Sequence, residues 1–183
     1  MPRKEVITKN EILRCAFELA REEGIAEVTA RKLANKVGCS TQPIFRAYHN
    51  MDEVLGDVMD HSIRFFERFY AEYPRETAEV PFLNLGMAYI GFAKEEKNLF
   101  HMMFLREGHG GRSLYELING VGGNVMREIQ LAKSLGCPDP EGLFMKMWIF
   151  IHGAASMTIT GDYDLNRDDT RKMIQEVYAS FQS

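Results

Sequence analysis

Apolar residues recur along this chain at the three-and-four spacing of an α-helix, and no run alternates cleanly enough to predict a strand. The pattern predicts an all-α protein of about nine helices. The first helix has a marked start: Thr8 and Glu11 stand at capping-box spacing, and Ile7 and Ile12 can form a hydrophobic staple around them. Ile12, Leu13, Ala16, Phe17 and Ala20 make its core face, and Gly24 closes it. The stretch from Thr29 to Asn50, TARKLANKVGCSTQPIFRAYHN, then reads as a helix-turn-helix. Leu33, Ala34 and Val37 share one face of a short helix, Gly38 can take the left-handed backbone that reverses the chain, and Ser40 is a preferred N-cap for the next helix. Pro43 falls in the first turn of that second helix, where its missing N–H costs no intrahelical bond. Ile44 and Tyr48, four apart, face inward, which leaves Thr41, Gln42, Pro43 and Arg46 pointing outward.

The fourth helix starts at Asn50, a good N-cap, with Asp52 and Glu53 placed to complement its dipole, and runs to Tyr73 before Pro74. Beyond it, helices are expected over residues 81–95, 98–106, 112–135, 140–160 and 167–181. Asp139 with Pro140 marks one start and Gly161 one stop. Gly120, Gly122 and Gly123 inside a helical stretch should mark a kink, a break or a close packing point. The GHGG loop at Gly108–Gly111 reads as a joint, because a phosphate cradle needs a strand before it and a lysine after it. Leu143 to Met157 is apolar on nearly every face, so that helix needs cover on all sides, and a second subunit is the economical source of it.

The 183 residues are 45% hydrophobic and 26% charged, an ordinary globular composition. Charge is uneven: residues 1–50 carry nine Lys and Arg against six Asp and Glu, while the remainder carries thirteen against twenty. A basic head on an acidic body suits a protein that sets one surface on nucleic acid. Cys15, Cys39 and Cys137 are odd in number and far apart, which fits neither a disulfide framework nor a paired metal or redox site. No secretory leader and no apolar run of about 18 residues is expected to meet a membrane, so the reading is a soluble, cytoplasmic protein without a membrane partner. Catalysis is not expected. His49, His61, His101, His109 and His152 are scattered rather than paired for a metal, and no nucleophile elbow occurs; neither a metal nor a cofactor is implied. Cys39, just ahead of a helix, has an alternative reading as a redox-sensing thiol.

At this point the residues resemble the tetracycline-repressor (TetR/AcrR) family of bacterial transcription regulators. The resemblance lies in the opening helix ILRCAFELAREEG, in the phrase TARKLA followed by Gly38, and in STQPIFRAYHN followed by Asp52, Glu53 and Leu55; a shorter match is WIFIHG at Trp148–Gly153. It implies a helix-turn-helix DNA-binding domain over residues 1–50 and a ligand-binding and dimerisation domain over 51–183, linked by the helix at 51–73. It also implies a regulator, most simply a repressor, released from a palindromic operator by a small apolar or amphipathic ligand. The alternative is a helical small-molecule binding or interaction protein whose head no longer reads DNA specifically.

In the expected complex with double-stranded DNA, Thr41, Gln42 and Arg46 face base edges, and Thr29, Arg31, Ser40, Phe45 and His49 complete the contact surface toward the backbone. A phosphate contact is the other reading of each base-facing residue. Arg3 and Lys4 can touch phosphate or stand as a solvated terminus. For the small-molecule effector the resemblance implies a pocket, with Phe65, Phe69, Tyr89, Phe92, His101, Met102, Trp148 and His152 as candidate linings; the apolar ones serve equally as core, and the histidines as hydrogen-bonded structural groups. Homodimerisation is expected through Met147, Ile151, Ala154, Ala155 and Thr158 on one helix and Ile174, Val177 and Phe181 on the last. The family usually has tyrosine at Phe45 and lysine at Met51, both of which hold phosphate, so DNA affinity should be modest and lean on Arg31, Lys32, Lys36, Arg46 and the basic tail.

Overall fold

Side-chain caps start several helices of this chain, and the computed structural model, which describes residues 7–76, 79–107 and 111–182, shows those of Thr8, Thr29, Ser113 and Asp139 in use. Ten α-helices follow in order: α1 (Lys9–Glu23), α2 (Ala30–Val37), α3 (Thr41–Ala47), α4 (Met51–Glu72), α5 (Leu83–Glu95), α6 (Lys97–Phe100), α7 (Leu114–Asn119), α8 (Asn124–Ser134), α9 (Pro140–Thr160) and α10 (Arg167–Gln182). No strand occurs among the described residues, so the fold is all-α as expected. Arg3, Lys4 and the loop residues Gly108, His109 and Gly110 lie outside the described residues.

The chain packs as two compact units, Met1–Arg64 with Asn98–Gly110, and Phe65–Lys97 with Gly111–Ser183. Helix α4 therefore contributes its first half to one unit and its second half to the other. In the first unit, Thr8 and Glu11 form the reciprocal capping box, with the Glu11 amide donating to Thr8 Oγ1 at 3.2 Å and the Thr8 amide to Glu11 Oε2 at 2.8 Å. Gly38 ends α2 at φ 80°, and the Cys39 amide reaches back to the Ala34 carbonyl at 2.9 Å, the six-to-one bond of a Schellman turn. That turn sets α3 against α1 and α2 around Ile12, Ala16, Leu33 and Ile44, all fully buried.

Helix α5 is the axis of the second unit: every residue from Leu85 to Ala93 is buried. Helix α9 lies along α5, and α10 packs on both. Gly86 permits this closeness, since a Cβ there would stand 3.0 Å from the side chains of both Ile151 and Ile174. The single helix expected over 112–135 is instead two. Gly120 and Gly123 take positive φ, and Glu67 of α4 accepts the Val121 amide at 2.6 Å, so a side chain replaces a helical carbonyl as the acceptor. A correction also applies to α9, which by length and mean hydropathy is long enough and apolar enough to cross a membrane. One side of it is nevertheless taken up by α5 and α10, as the core helix of a packed domain would be.

One buried carboxylate holds the start of α5. Phe82 precedes that helix at φ 65°, a left-handed conformation that is uncommon for a residue with a Cβ, and its amide donates to Glu128 Oε2 of α8 at 2.7 Å. Burial pushes the Glu128 carboxyl above the ordinary glutamate range, and the Phe82 amide, Arg75 and Arg127 oppose that shift. Replacing Glu128 with Ala orphans a buried N–H, so chemical denaturation should show a loss of roughly 1–3 kcal/mol. Because the folded carboxyl binds its proton more tightly than the unfolded one, its contribution should weaken as pH rises from the ordinary glutamate value through the raised one. Measured as the stability difference from Glu128→Gln across that window, a difference that does not move with pH would contradict the burial account.

Candidate functional site

The outward face of the helix-turn-helix follows from which residues the core claims. Ile44 and Tyr48 are buried against the head's core, which leaves Thr41, Gln42, Phe45 and Arg46 exposed on α3. Thr29, Arg31, Ser40 and His49 are exposed as well, so all eight sequence-derived contact residues lie at the surface of the first unit. Two details qualify their roles. The Thr29 hydroxyl already accepts the Lys32 amide at 3.3 Å as the cap of α2. Ser40 occupies the N-cap position of α3 with extended backbone, yet its side chain makes no capping bond.

Behind α3, Lys9 pairs with Asp57 at 2.9 Å and stands 4.5 Å from the Tyr48 ring centroid, pinning that ring from its exposed side. Burial, reinforced by Asp57 and Glu53, holds the Tyr48 phenol far above the ordinary tyrosine range, so it stays neutral.

Lys32 and Lys36, the lysines expected to grip phosphate, are both paired with acids. The Lys32 ammonium bridges Glu23 and Glu27, at 2.6 Å each, and Lys36 pairs with Glu22 at 2.7 Å. The physical reason is spacing across the α1–α2 corner, where Glu22 and Glu23 end α1 and Glu27 lies in the turn before α2. The cationic side chains left on the reading surface are Arg31 and Arg46.

The second unit gathers six of the eight candidate ligand residues. Phe65 and Phe69 of α4 pack on Phe92 with ring centroids 6.3 and 5.2 Å apart, and Tyr89 meets the Trp148 ring edge-on at 4.9 Å. Phe66, expected on the apolar stripe of α4 and not among the ligand candidates, ties the two halves together by packing on both Phe92 and Tyr89. Its buried place on the α4 stripe was the available signal. The Tyr89 hydroxyl and His152 Nδ1 lie 3.0 Å apart in a hydrogen bond whose direction follows the imidazole tautomer, and burial raises the Tyr89 phenol well above its ordinary range. His152 is thus hydrogen-bonded, as the sequence allowed.

His101 and Met102 do not join this cluster; they belong to the first unit. A π-helical turn over His101–Leu105, closed by the Arg106 amide on the His101 carbonyl at 3.1 Å, buries Met102, Met103 and Phe104 in succession and leaves His101 exposed. His101 is therefore a surface residue of the first unit, with Met102, Met103 and Phe104 buried beside it.

The expected pairing residues are also rotated. Met147, Ile151, Ala154, Ala155 and Thr158 of α9 and Ile174 of α10 are all buried within the subunit itself, Val177 is half-buried and Phe181 is at the edge. The face of α9 that remains open carries Met145, Ile149 and Met157, exposed by 53, 66 and 47%, with Gly153 among them and no atom within 4 Å of where its Cβ would stand. Met173 and Phe181 continue this apolar strip on α10.

Comparisons with known proteins agree with this architecture. Residues 82–181 match the family model described as tetracyclin repressor-like, C-terminal domain. The fold is similar to that of a TetR transcription regulator from Haloarcula marismortui, with a TM-score of 0.66 at 17% identity, covering 93% of this chain and 96% of that one. A second similar structure, from Rhodococcus sp. and placed among the TetR-family transcriptional regulators, gives a TM-score of 0.61 at 12% identity over 95% of this chain and 98% of that one. No curated protein matches the chain. With the family model matching residues 82–181, more than half of the chain, and the fold shared with these regulators, the chain belongs to the tetracycline-repressor family.

Proposed function

We propose that this protein is a cytoplasmic, ligand-responsive DNA-binding regulator that acts as a homodimeric repressor and leaves a palindromic operator when a small apolar or amphipathic molecule binds its second unit. The observation that carries this reading is the division of α3 into a buried side, Ile44 and Tyr48, and an open side whose Thr41, Gln42 and Arg46 match thymine, adenine and guanine in the major groove. Pairing through Met145, Ile149, Gly153 and Met157 would give each assembly two reading heads, which suits a site with two-fold symmetry. Release follows if the effector binds better to the form that does not hold DNA, and by no more than that difference in affinity. A second reading is favoured by the pairing of Lys32 and Lys36 with acids: a helical binding protein whose head no longer reads DNA.

Electrophoretic mobility shift of the DNA flanking the protein's own gene, without ligand and at low salt, separates the two readings; a specific shift is expected, and none at any concentration short of non-specific coating favours the second. Gln42→Ala should lose roughly 1–3 kcal/mol on that site and relax the preference for it over random duplex, and an unchanged preference would remove Gln42 from the reading set. Glu23→Gln with Glu27→Gln frees Lys32, so the logarithmic salt dependence of binding should steepen by up to about 0.9 if Lys32 then meets a phosphate. Ile149→Glu places a charge on the open strip of α9, and sedimentation equilibrium should show at least about a tenfold weaker dimer. A dimer of unaltered strength would move the interface elsewhere.

A further inference from the structure

A groove of about 370 Å³ opens in the second unit, away from the Tyr89 and Trp148 cluster, where the end of α4, the last turns of α5, the end of α9 and the start of α10 meet. Its floor is apolar and buried: Met87, Ile90 and the methyl-bearing side chains of Thr158 and Thr170. Both threonine oxygens are engaged, Thr158 donating to the Ala154 carbonyl at 3.0 Å and Thr170 accepting the Tyr163 hydroxyl at 3.0 Å, so the floor offers mainly hydrocarbon. Tyr73, Tyr163 and Leu165 form the walls. The Tyr73 ring rests on bare backbone at Gly91, where a Cβ would collide with it.

The mouth carries charges of both signs. Lys94 and Glu95 are consecutive, exposed, and without an ion-pair partner among the described residues. Arg167 is held in place by the Pro74 carbonyl at 3.1 Å and by Glu76, and its guanidinium lies 5.2 Å over the Tyr73 ring. Both signs reach the groove: burial raises the Tyr73 phenol above its ordinary range, while Arg167 lowers it and Glu95 raises it.

The volume is at the small end of ligand pockets, which run from about 300 to 1,000 Å³. Charge then decides among small amphiphiles. Glu76 already balances Arg167, so Lys94 and Glu95 decide: a lone carboxylate would gain from Lys94 but meet Glu95, and a lone amine would gain from Glu95 but meet Lys94. A molecule with an ammonium and a carboxylate on adjacent atoms offers each charge its opposite and still presents one apolar group to the floor. We propose that this groove binds a free α-amino acid with an apolar side chain, its carboxylate toward Lys94, its ammonium toward Glu95, and its side chain on Met87 and Ile90. This names the effector class of the ligand-responsive reading above and rests on that reading.

Calorimetric titration of the full chain with L-leucine and L-phenylalanine should show saturable binding of one molecule per chain for at least one of them below about 10 mM. Two analogues of phenylalanine, 3-phenylpropanoate without the ammonium and 2-phenylethylamine without the carboxylate, should each bind at least about ten-fold more weakly. Lys94→Glu, at an exposed position that leaves the fold alone, should weaken the amino acid to the same extent, and Leu165→Trp should close the groove and abolish binding. If neither amino acid binds, or either analogue binds as well as its parent, or Lys94→Glu binds normally, the proposal is overturned. DNA takes no part in the titration: amino-acid binding by a chain that shifts no DNA leaves this site standing and removes the regulator reading, a DNA shift with no amino-acid binding does the reverse, and an amino acid that binds without weakening the shift overturns its role as effector.

Discussion

Helix α9 has apolar side chains around its circumference, and an apolar cylinder of 21 residues must be covered on every side. The rest of the second unit follows from that demand. Gly86 lets α5 come close enough for Ile151 and Ile174 to fill the space, α10 covers a second flank, and α8 packs beside them. What a single chain leaves open is the strip of Met145, Ile149 and Met157, with Gly153 offering close approach. An exposed apolar strip on a long helix, continued on its neighbour by Met173 and Phe181, is costly in water and inexpensive when two copies share it.

The head is under a different constraint, one of charge. Its basic excess looks generous as a count, but among the described residues the lysines of α2 pair with acids at the end of α1 and in the turn after it, which leaves Arg31 and Arg46 on the exposed face with the polar row on α3. Phe45, exposed by 47% on that same surface, adds contact area and no charge. Under the proposed function, binding would draw less of its affinity from phosphate attraction and more from base edges and from pairing of two heads. Its binding should therefore be weakly salt-dependent for its family, and sensitive to whatever holds the two copies together.

Local signals proved the most legible part of the sequence. The capping box at Thr8 and Glu11, the left-handed Gly38, Asp139 ahead of Pro140 and the stop at Gly161 depend on residues within four positions of one another, and each stands where it was expected. The exposed set on α3 was equally readable, because a seven-residue helix that buries Ile44 and Tyr48 has only one other side. Non-local facts were not readable. Periodicity could say that α9 is apolar all round but not which arc its own subunit would take, and Met147, Ile151 and Ala155 lie inside it. The π turn at His101 and the salt bridges of Lys32 and Lys36 were hidden for the same reason: each depends on hydrogen bonding or a neighbour that spacing along one helix does not reveal. The groove beneath Tyr73 joins residues from four helices and had no linear signal at all.

The account stands on one claim, that a paired body presents two copies of the α3 surface to one duplex. Selection of binding sites from a random-sequence DNA pool by the full chain, followed by sequencing, tests it directly. The expected result is an enriched motif with two inverted half-sites, their centres separated by about 34–36 Å or one turn of the duplex, or by a whole multiple of it. Enrichment of a single unrepeated half-site would contradict the pairing, and no enrichment over the starting pool would contradict the DNA-reading head itself.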